Sequence, residues 1–193
     1  MSETTLRLWT EACIDAALGA IWGIKTTGLE LIPGSGPLIV ACNHVSLLDP
    51  PLLAATIAPV RRPLFLGKKE LFANPLRGWF LRQMGSIPID RAGADMGALR
   101  CALEVLRRGG CLGIFPEGTR VKPGESRPPK PGIAFLAARA GAPVLPARVV
   151  GTAQFPRRFP LDVRFGAPLK APAEGRGDAM AFAQAVMDAI YAL

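Results

Sequence analysis

The chain has 193 residues, half of them hydrophobic, enough for one domain with a sizeable core, and its mean hydropathy of +0.28 is on the apolar side. No stretch approaches the roughly 20 apolar residues of a membrane-spanning helix, and the polar first residues do not read as a cleavable leader. The formal net charge of +8 suits an anionic partner (phosphate ester, anionic lipid or nucleic acid), but one tyrosine and no aromatic-interleaved basic segment rank nucleic acid last.

Residues 3–24 predict a helix, with Glu3, Arg7, Glu11 and Asp15 at i, i+4 spacing along one polar stripe. Residues 16–24 are apolar on every side and must be buried in protein or in lipid. A short strand is expected over 28–32, then a turn at Pro33-Gly34-Ser35-Gly36. Strand 37–42 leads to helix 50–57, and strand 63–67 leads to Lys68-Lys69-Glu70. Asn74-Pro75 caps a helix running to about residue 83, and residues 85–91 form a strand ending on Asp90-Arg91. A helix over 94–107, with Leu99, Leu103 and Leu106 along one side, stops at Gly109-Gly110. Strand 111–115 runs into Pro116-Glu117-Gly118-Thr119-Arg120, and a polar loop rich in Pro, Gly, Lys and Arg covers 121–131. Helix 132–140, strands 143–149 and 161–165, and a helix over 178–192 burying Met180, Ala183, Met187 and Ile190 complete the chain.

This alternation predicts an α/β fold: a single domain with a mostly parallel central sheet flanked by helices, and an N-terminal apolar helix. The division expected is 1–27 for that helix and 28–193 for the domain. The four cysteines form no C-x-x-C pair and one histidine cannot build a His-rich site, so no metal is expected and the thiols are read as reduced and mostly buried. No P-loop, G-x-G-x-x-G or G-x-S-x-G is present, which argues against nucleotide binding and serine hydrolysis.

Chemistry concentrates just beyond three strands. His44, the only histidine, and Asp49 stand at the two ends of a strand-to-helix connection. On a continuous helix they would lie about 140° apart, whereas a loop can fold Asp49 back onto the imidazole. A carboxylate on one ring nitrogen fixes the tautomer and leaves the other nitrogen as a base. The plainer alternative is that Asp49 only caps a helix. Asp90-Arg91 and Glu117-Gly118-Thr119-Arg120 end the other two strands. If the three strands are parallel neighbours, a base, a carboxylate and two guanidinium groups meet at the edge where such sheets bind ligands. Two arginines can hold a phosphate through bidentate bonds, and Gly118 would let backbone approach a ligand. The basic charge is uneven: residues 59–91 carry seven Lys/Arg against two carboxylates, and 117–170 carry ten against three.

These segments resemble the glycerolipid acyltransferases typified by 1-acyl-sn-glycerol-3-phosphate acyltransferase. The N-H-x-x-x-x-D motif stands as Asn43-His44-Val45-Ser46-Leu47-Leu48-Asp49, and the apolar run ending Asp-Arg as residues 85–91. F-P-E-G-T-R is complete from Phe115 to Arg120, and the proline-containing strand is Val144-Leu145-Pro146-Ala147. The likeness covers about residues 28–150, with Lys68 and Lys130 in weaker matching segments. It implies acyl transfer from a thioester, acyl-CoA or acyl-carrier protein, to the free sn-2 hydroxyl of a lysophospholipid, giving phosphatidic acid without a further cofactor. His44 would be the general base and Asp49 its orienting partner. Arg91, Glu117, Gly118, Thr119 and Arg120 would bind the glycerol phosphate, with Asn43, Lys68 and Lys130 as additional contacts. With no Ser or Cys nucleophile at the motif, direct transfer in a ternary complex is the simpler scheme. The expected location is the cytoplasmic face of the cell membrane, docked on the anionic surface without crossing it. The alternatives are an acyltransferase for another acceptor (glycerol 3-phosphate or a lyso-aminolipid) and a non-catalytic membrane-surface module.

Overall fold

The computed structural model describes residues 23–89, 96–122, 124–154, 160–173 and 177–193, together with Cys13 and Ala16. Among these residues the chain runs β1 (Ile24–Thr27), β2 (Leu38–Cys42), α1 (Asp49–Ile57), β3 (Pro63–Lys68), α2 (Pro75–Gln83), β4 (Ser86–Ile89), α3 (Met96–Arg107), β5 (Cys111–Ile114), α4 (Gly132–Ala140), β6 (Val144–Val150), β7 (Leu161–Phe165) and α5 (Ala179–Ala192). The seven strands form one sheet in the order β1-β7-β6-β2-β5-β3-β4. Only the β6–β7 pairing is antiparallel; the other five are parallel. The mostly parallel sheet flanked by helices is the architecture that the alternation predicts.

Strand β2 is the axis of the sheet. All five of its residues are buried, which a strand achieves only when both faces of the sheet are covered. Successive side chains point to opposite faces. Leu38, Val40 and Cys42 therefore pack with Leu52, Leu53 and Ile57 of α1 on one side. Ile39 and Ala41 pack on the other side with Leu106 of α3, Ile133 and Leu136 of α4, and Val186 and Ile190 of α5. The result is three layers, with α1 on one face and α3, α4 and α5 on the other.

Parallel pairing of β6, β2, β5, β3 and β4 brings the carboxyl ends of those five strands to one edge. Residues following Val150, Cys42, Ile114, Lys68 and Ile89 all emerge there. Neighbouring strands lie about 4.8 Å apart, so chemistry distributed over more than a hundred residues of sequence meets within a few strand widths.

Some local expectations change. The strand expected over 28–32 is instead a single 3-10 turn, Leu29–Leu31, and the strand precedes it at Ile24–Thr27. That edge strand exists by pairing with β7 near the far end of the chain, a partner that no local pattern announces. Met180 is 42% exposed rather than buried, because the buried stripe of α5 begins at Phe182 and the first turn overhangs the core. In α3 it is Ala102 and Leu106 that are buried, with Leu99 and Leu103 half-buried beside them. The N-terminal helix expected over 3–24 lies outside the described residues, apart from Cys13, Ala16 and the last two positions.

Candidate active site

The connection after β2 is built around Asp49. This carboxyl group is fully buried, and its Oδ2 accepts hydrogen bonds from the backbone N–H of Val45 (2.7 Å) and Ser46 (2.7 Å). Backbone amides can only donate, so the oxygen facing them is an acceptor. The contact of His44 Nδ1 with the same oxygen, at 2.9 Å, is therefore an N–H donated by the ring. That assignment leaves Nε2 with the lone pair. Asp49 is not the cap of α1, as its place before Pro50 suggested. It is the first helical residue, the N-cap position falls on Leu48, and no side chain caps the helix there. The carboxylate turns back toward its own loop, where three donors converge on one oxygen. Its other oxygen, Oδ1, accepts the hydroxyl of Thr152 at 2.5 Å.

The imidazole is held on a second side by an aromatic ring. Phe115 stacks on His44 with centroids 4.1 Å apart and planes 22° apart, and Phe65 stacks behind Phe115 at 6.0 Å. Gly113 makes room for this column. A Cβ added there would lie 2.2 Å from the Phe65 ring. His44 itself is only 15% exposed in its side chain, so the base lies recessed in the edge.

The F-P-E-G-T-R segment closes over the histidine loop. The N–H of Val121 donates to the His44 carbonyl at 2.8 Å, which fastens the loop after β5 to the loop after β2. Between them lies Glu117, 3% exposed. Its Oε1 accepts the backbone N–H of His44 (3.4 Å) and the hydroxyl of Tyr191 (3.3 Å), while Oε2 is buried with no hydrogen-bond partner among the described residues. Burial pushes the Glu117 carboxyl above its ordinary value, opposed by the hydrogen bonds it accepts and by His44. An unsatisfied buried oxygen beside a fixed base is a natural place for a polar group of a ligand.

Other expected contacts fall in different places. Asn43 is engaged within the sheet: its amide donates to the Val149 carbonyl (2.9 Å) and accepts the Val149 N–H (2.8 Å), extending the β2–β6 ladder by a side chain. Gly118 has φ of +71°, which favours glycine, yet what approaches it is Lys130, whose Cε would be 2.5 Å from an added Cβ. It therefore admits a side chain of the protein where a ligand was expected. The backbone N–H of Lys130 donates to the Pro116 carbonyl at 2.9 Å, so this lysine stays beside the motif. Lys68 ends β3 on the same edge and is exposed, as are Thr119 and Arg120. Strand β4 also ends on this edge, but Asp90 and Arg91 lie outside the described residues. Among the described residues no cluster of three His, Cys, Asp or Glu side chains could hold a metal ion.

Three participants escaped the sequence reading: Thr152, Tyr191 and the ring of Phe115 as a platform. Tyr191 reaches the site from α5, and Arg148 steadies it by donating to its carbonyl (2.6 Å) with the guanidinium 5.5 Å from the ring centroid. As the only tyrosine in the chain it carried the same kind of signal as the solitary histidine.

The family model described as acyltransferase matches residues 23–150, the span that holds the His–Asp pair and the buried glutamate. The chain belongs to the acyltransferase family. Among its relatives, the 1-acyl-sn-glycerol-3-phosphate acyltransferase of Bacillus subtilis (strain 168) is 33% identical over 129 residues, which are 67% of this chain and 63% of that protein. The protein of the same name from Borreliella burgdorferi is 35% identical over 149 residues, 75% of this chain and 58% of its own length. The lyso-ornithine lipid O-acyltransferase of Pseudomonas aeruginosa is 44% identical over 91 residues, 47% of this chain and 33% of that protein. This acyltransferase-family chain thus spans less than two thirds of the length of each of these three relatives. Its fold is similar to the crystal structure of the 1-acyl-sn-glycerophosphate (LPA) acyltransferase PlsC from Thermotoga maritima, with a TM-score of 0.79 and 27% identity over 98% of this chain and 79% of that one.

Proposed function

We propose that this protein is an O-acyltransferase that moves a fatty acyl group from a thioester donor to the sn-2 hydroxyl of 1-acyl-sn-glycerol 3-phosphate, forming phosphatidic acid. The observation that carries the reading is the imidazole held through Nδ1 by Asp49, which leaves Nε2 as the base, in a loop whose His44 backbone N–H donates to the buried Glu117. His44 takes the proton from the acceptor hydroxyl as the oxygen attacks the thioester carbonyl. The thiolate of acyl-CoA or acyl-carrier protein leaves and is protonated, so no acyl-enzyme forms. Positioned proton transfer of this kind contributes roughly 10²–10⁴-fold in rate. Glu117 orients the glycerol part, and Arg120, Arg91, Lys68 and Lys130 supply positive charge for its phosphate.

A second reading keeps the reaction and changes the acceptor. The 44% identity to a protein named for a lyso-ornithine lipid supports it. Acceptor choice depends on pocket shape, which a shared base does not set. The deciding experiment follows thiol release from a long-chain acyl-CoA with 1-acyl-sn-glycerol 3-phosphate, glycerol 3-phosphate or lyso-ornithine lipid as acceptor. Release dependent on the first supports the principal reading, release dependent only on another moves the assignment to it, and release with none removes the enzymatic proposal.

The acceptor is a membrane lipid, and we infer peripheral docking on the anionic cytoplasmic leaflet. No helix among the described residues is long and apolar enough to cross a membrane. Helix α2 exposes Leu76 (75%) and Trp79 (44%) beside Arg77 and Arg82, and Leu47 in the histidine loop is 68% exposed. Apolar and basic groups together suit the headgroup boundary. Phe80 and Leu81 of the same helix are half-buried against the protein. Flotation with vesicles should rise with anionic lipid and fall when Leu76 and Trp79 are made serine. A protein that stays unbound on anionic vesicles at low salt refutes the docking.

A further inference from the structure

Thr152 stands two residues beyond the segment that matches the family, yet among the described residues it makes the one hydrogen bond to Asp49 that comes from outside the histidine loop. The turn that places it, Thr152–Gln154, follows β6 directly. Gly151 has φ of +95°, and an added Cβ would lie 2.4 Å from the Pro160 carbonyl oxygen, so this sharp exit from the strand needs glycine. Thr152 is 1% exposed, and its hydroxyl donates to Asp49 Oδ1 at 2.5 Å. The other donors to Asp49 among the described residues, from His44, Val45 and Ser46, meet Oδ2.

We propose that Thr152 is a positioning residue for acyl transfer, fixing the rotation of the Asp49 carboxylate so that Oδ2 stays aligned with His44 Nδ1. A carboxylate pinned through one oxygen alone can swing about that point. Pinned through both oxygens, by two different strands' loops, it cannot. The two loops come from β2 and β6, which are adjacent in the sheet and already joined through Asn43. The hydroxyl thus ties the orientation of the base to the sheet rather than to a single loop.

The inference rests on His44 acting as the base, and the test separates the two. Thr152→Val, Thr152→Ala and Thr152→Ser are assayed beside His44→Ala, using the full chain on vesicles with a long-chain acyl-CoA and 1-acyl-sn-glycerol 3-phosphate. Thr152→Val should lower kcat about tenfold with both KM values within about twofold. Thr152→Ser, which keeps the hydroxyl, should recover most of kcat. If Thr152→Val does not fold, Thr152→Ala is read in the same way. A valine or alanine variant with wild-type kcat overturns the proposal, as does a serine variant as impaired as valine. If both valine and alanine variants fail to fold, the hydroxyl is a structural post and the proposal is also overturned. Full turnover in His44→Ala would overturn the base assignment instead, whatever Thr152 does.

Discussion

Two kinds of charged side chain share the carboxyl edge of the sheet. One is recessed: Asp49 and Glu117 are buried, His44 nearly so, and each is held by contacts from another segment of the chain. The other is a rim of solvated cations, Lys68, Arg120 and Lys130, all exposed. Much of the remaining positive charge serves structure. Arg61 donates to the carbonyls of Pro33, Gly36 and Gly109, and Arg164 pairs with Asp162 and reaches the Leu193 carbonyl. The contrast is one of preorganisation. Recessed groups have their orientation set before a ligand arrives, so they act on turnover. Rim groups keep their freedom and their water, so they act on encounter and affinity and are sensitive to salt.

The largest effect expected from this contrast is at its recessed centre. His44→Ala should lower kcat/KM by about 10²–10⁴-fold, with melting temperature and vesicle binding close to wild type. Thiol-release kinetics on folded protein check it, and a variant retaining most of its turnover would break the division between the two sets.

Next is a change that never touches the site. Gly113→Ala drives a methyl group into the Phe65 ring, and the displacement passes through Phe115 to the imidazole. Overpacking of this kind costs about 1–3 kcal/mol, and turnover should fall with it. Denaturant melts give the stability change. Restored turnover in Gly113→Ala combined with Phe65→Leu would show that the ring column carries the effect.

Glu117→Gln sharpens the comparison through pH. Burial raises the folded-state carboxyl, so Glu117 favours the folded protein only while protonated, and that contribution is lost as pH rises through its raised value. The glutamine variant should therefore gain stability over wild type on going from acid to neutral pH, while losing activity. Melts at several pH values test this; a constant difference between the two proteins would contradict it.

The smallest effect belongs to the rim. Arg120→Ala should raise the acceptor KM about threefold at low salt, less at high salt, with the donor KM unchanged. Arg120→Lys should recover part of the loss, since an ammonium cannot make the planar bidentate contact. An effect on kcat alone would place Arg120 with the recessed set.

Most of what lies close together along the chain was readable from the amino acids alone. Hydrophobic runs bounded by glycine and proline placed the helix at 132–140 and the strand at 161–165 at the observed bounds, and most other elements from residue 38 onward within one or two residues. The reason is that periodicity and turn chemistry are local properties. The His44–Asp49 pair was readable for the same reason, because five residues of loop suffice to bring them together. Tertiary structure decided the rest. Nothing local says that β6 runs beside β2, and that adjacency delivers Thr152 to Asp49 across 103 residues. Nothing local says that α5 ends over the site, where Tyr191 meets Glu117 across 74 residues. From the sequence, Asn43 and Gly118 read as ligand contacts, since a polar amide or a glycine reads the same whether it meets a substrate or its own protein. Only the fold reveals that their neighbours are Val149 and Lys130.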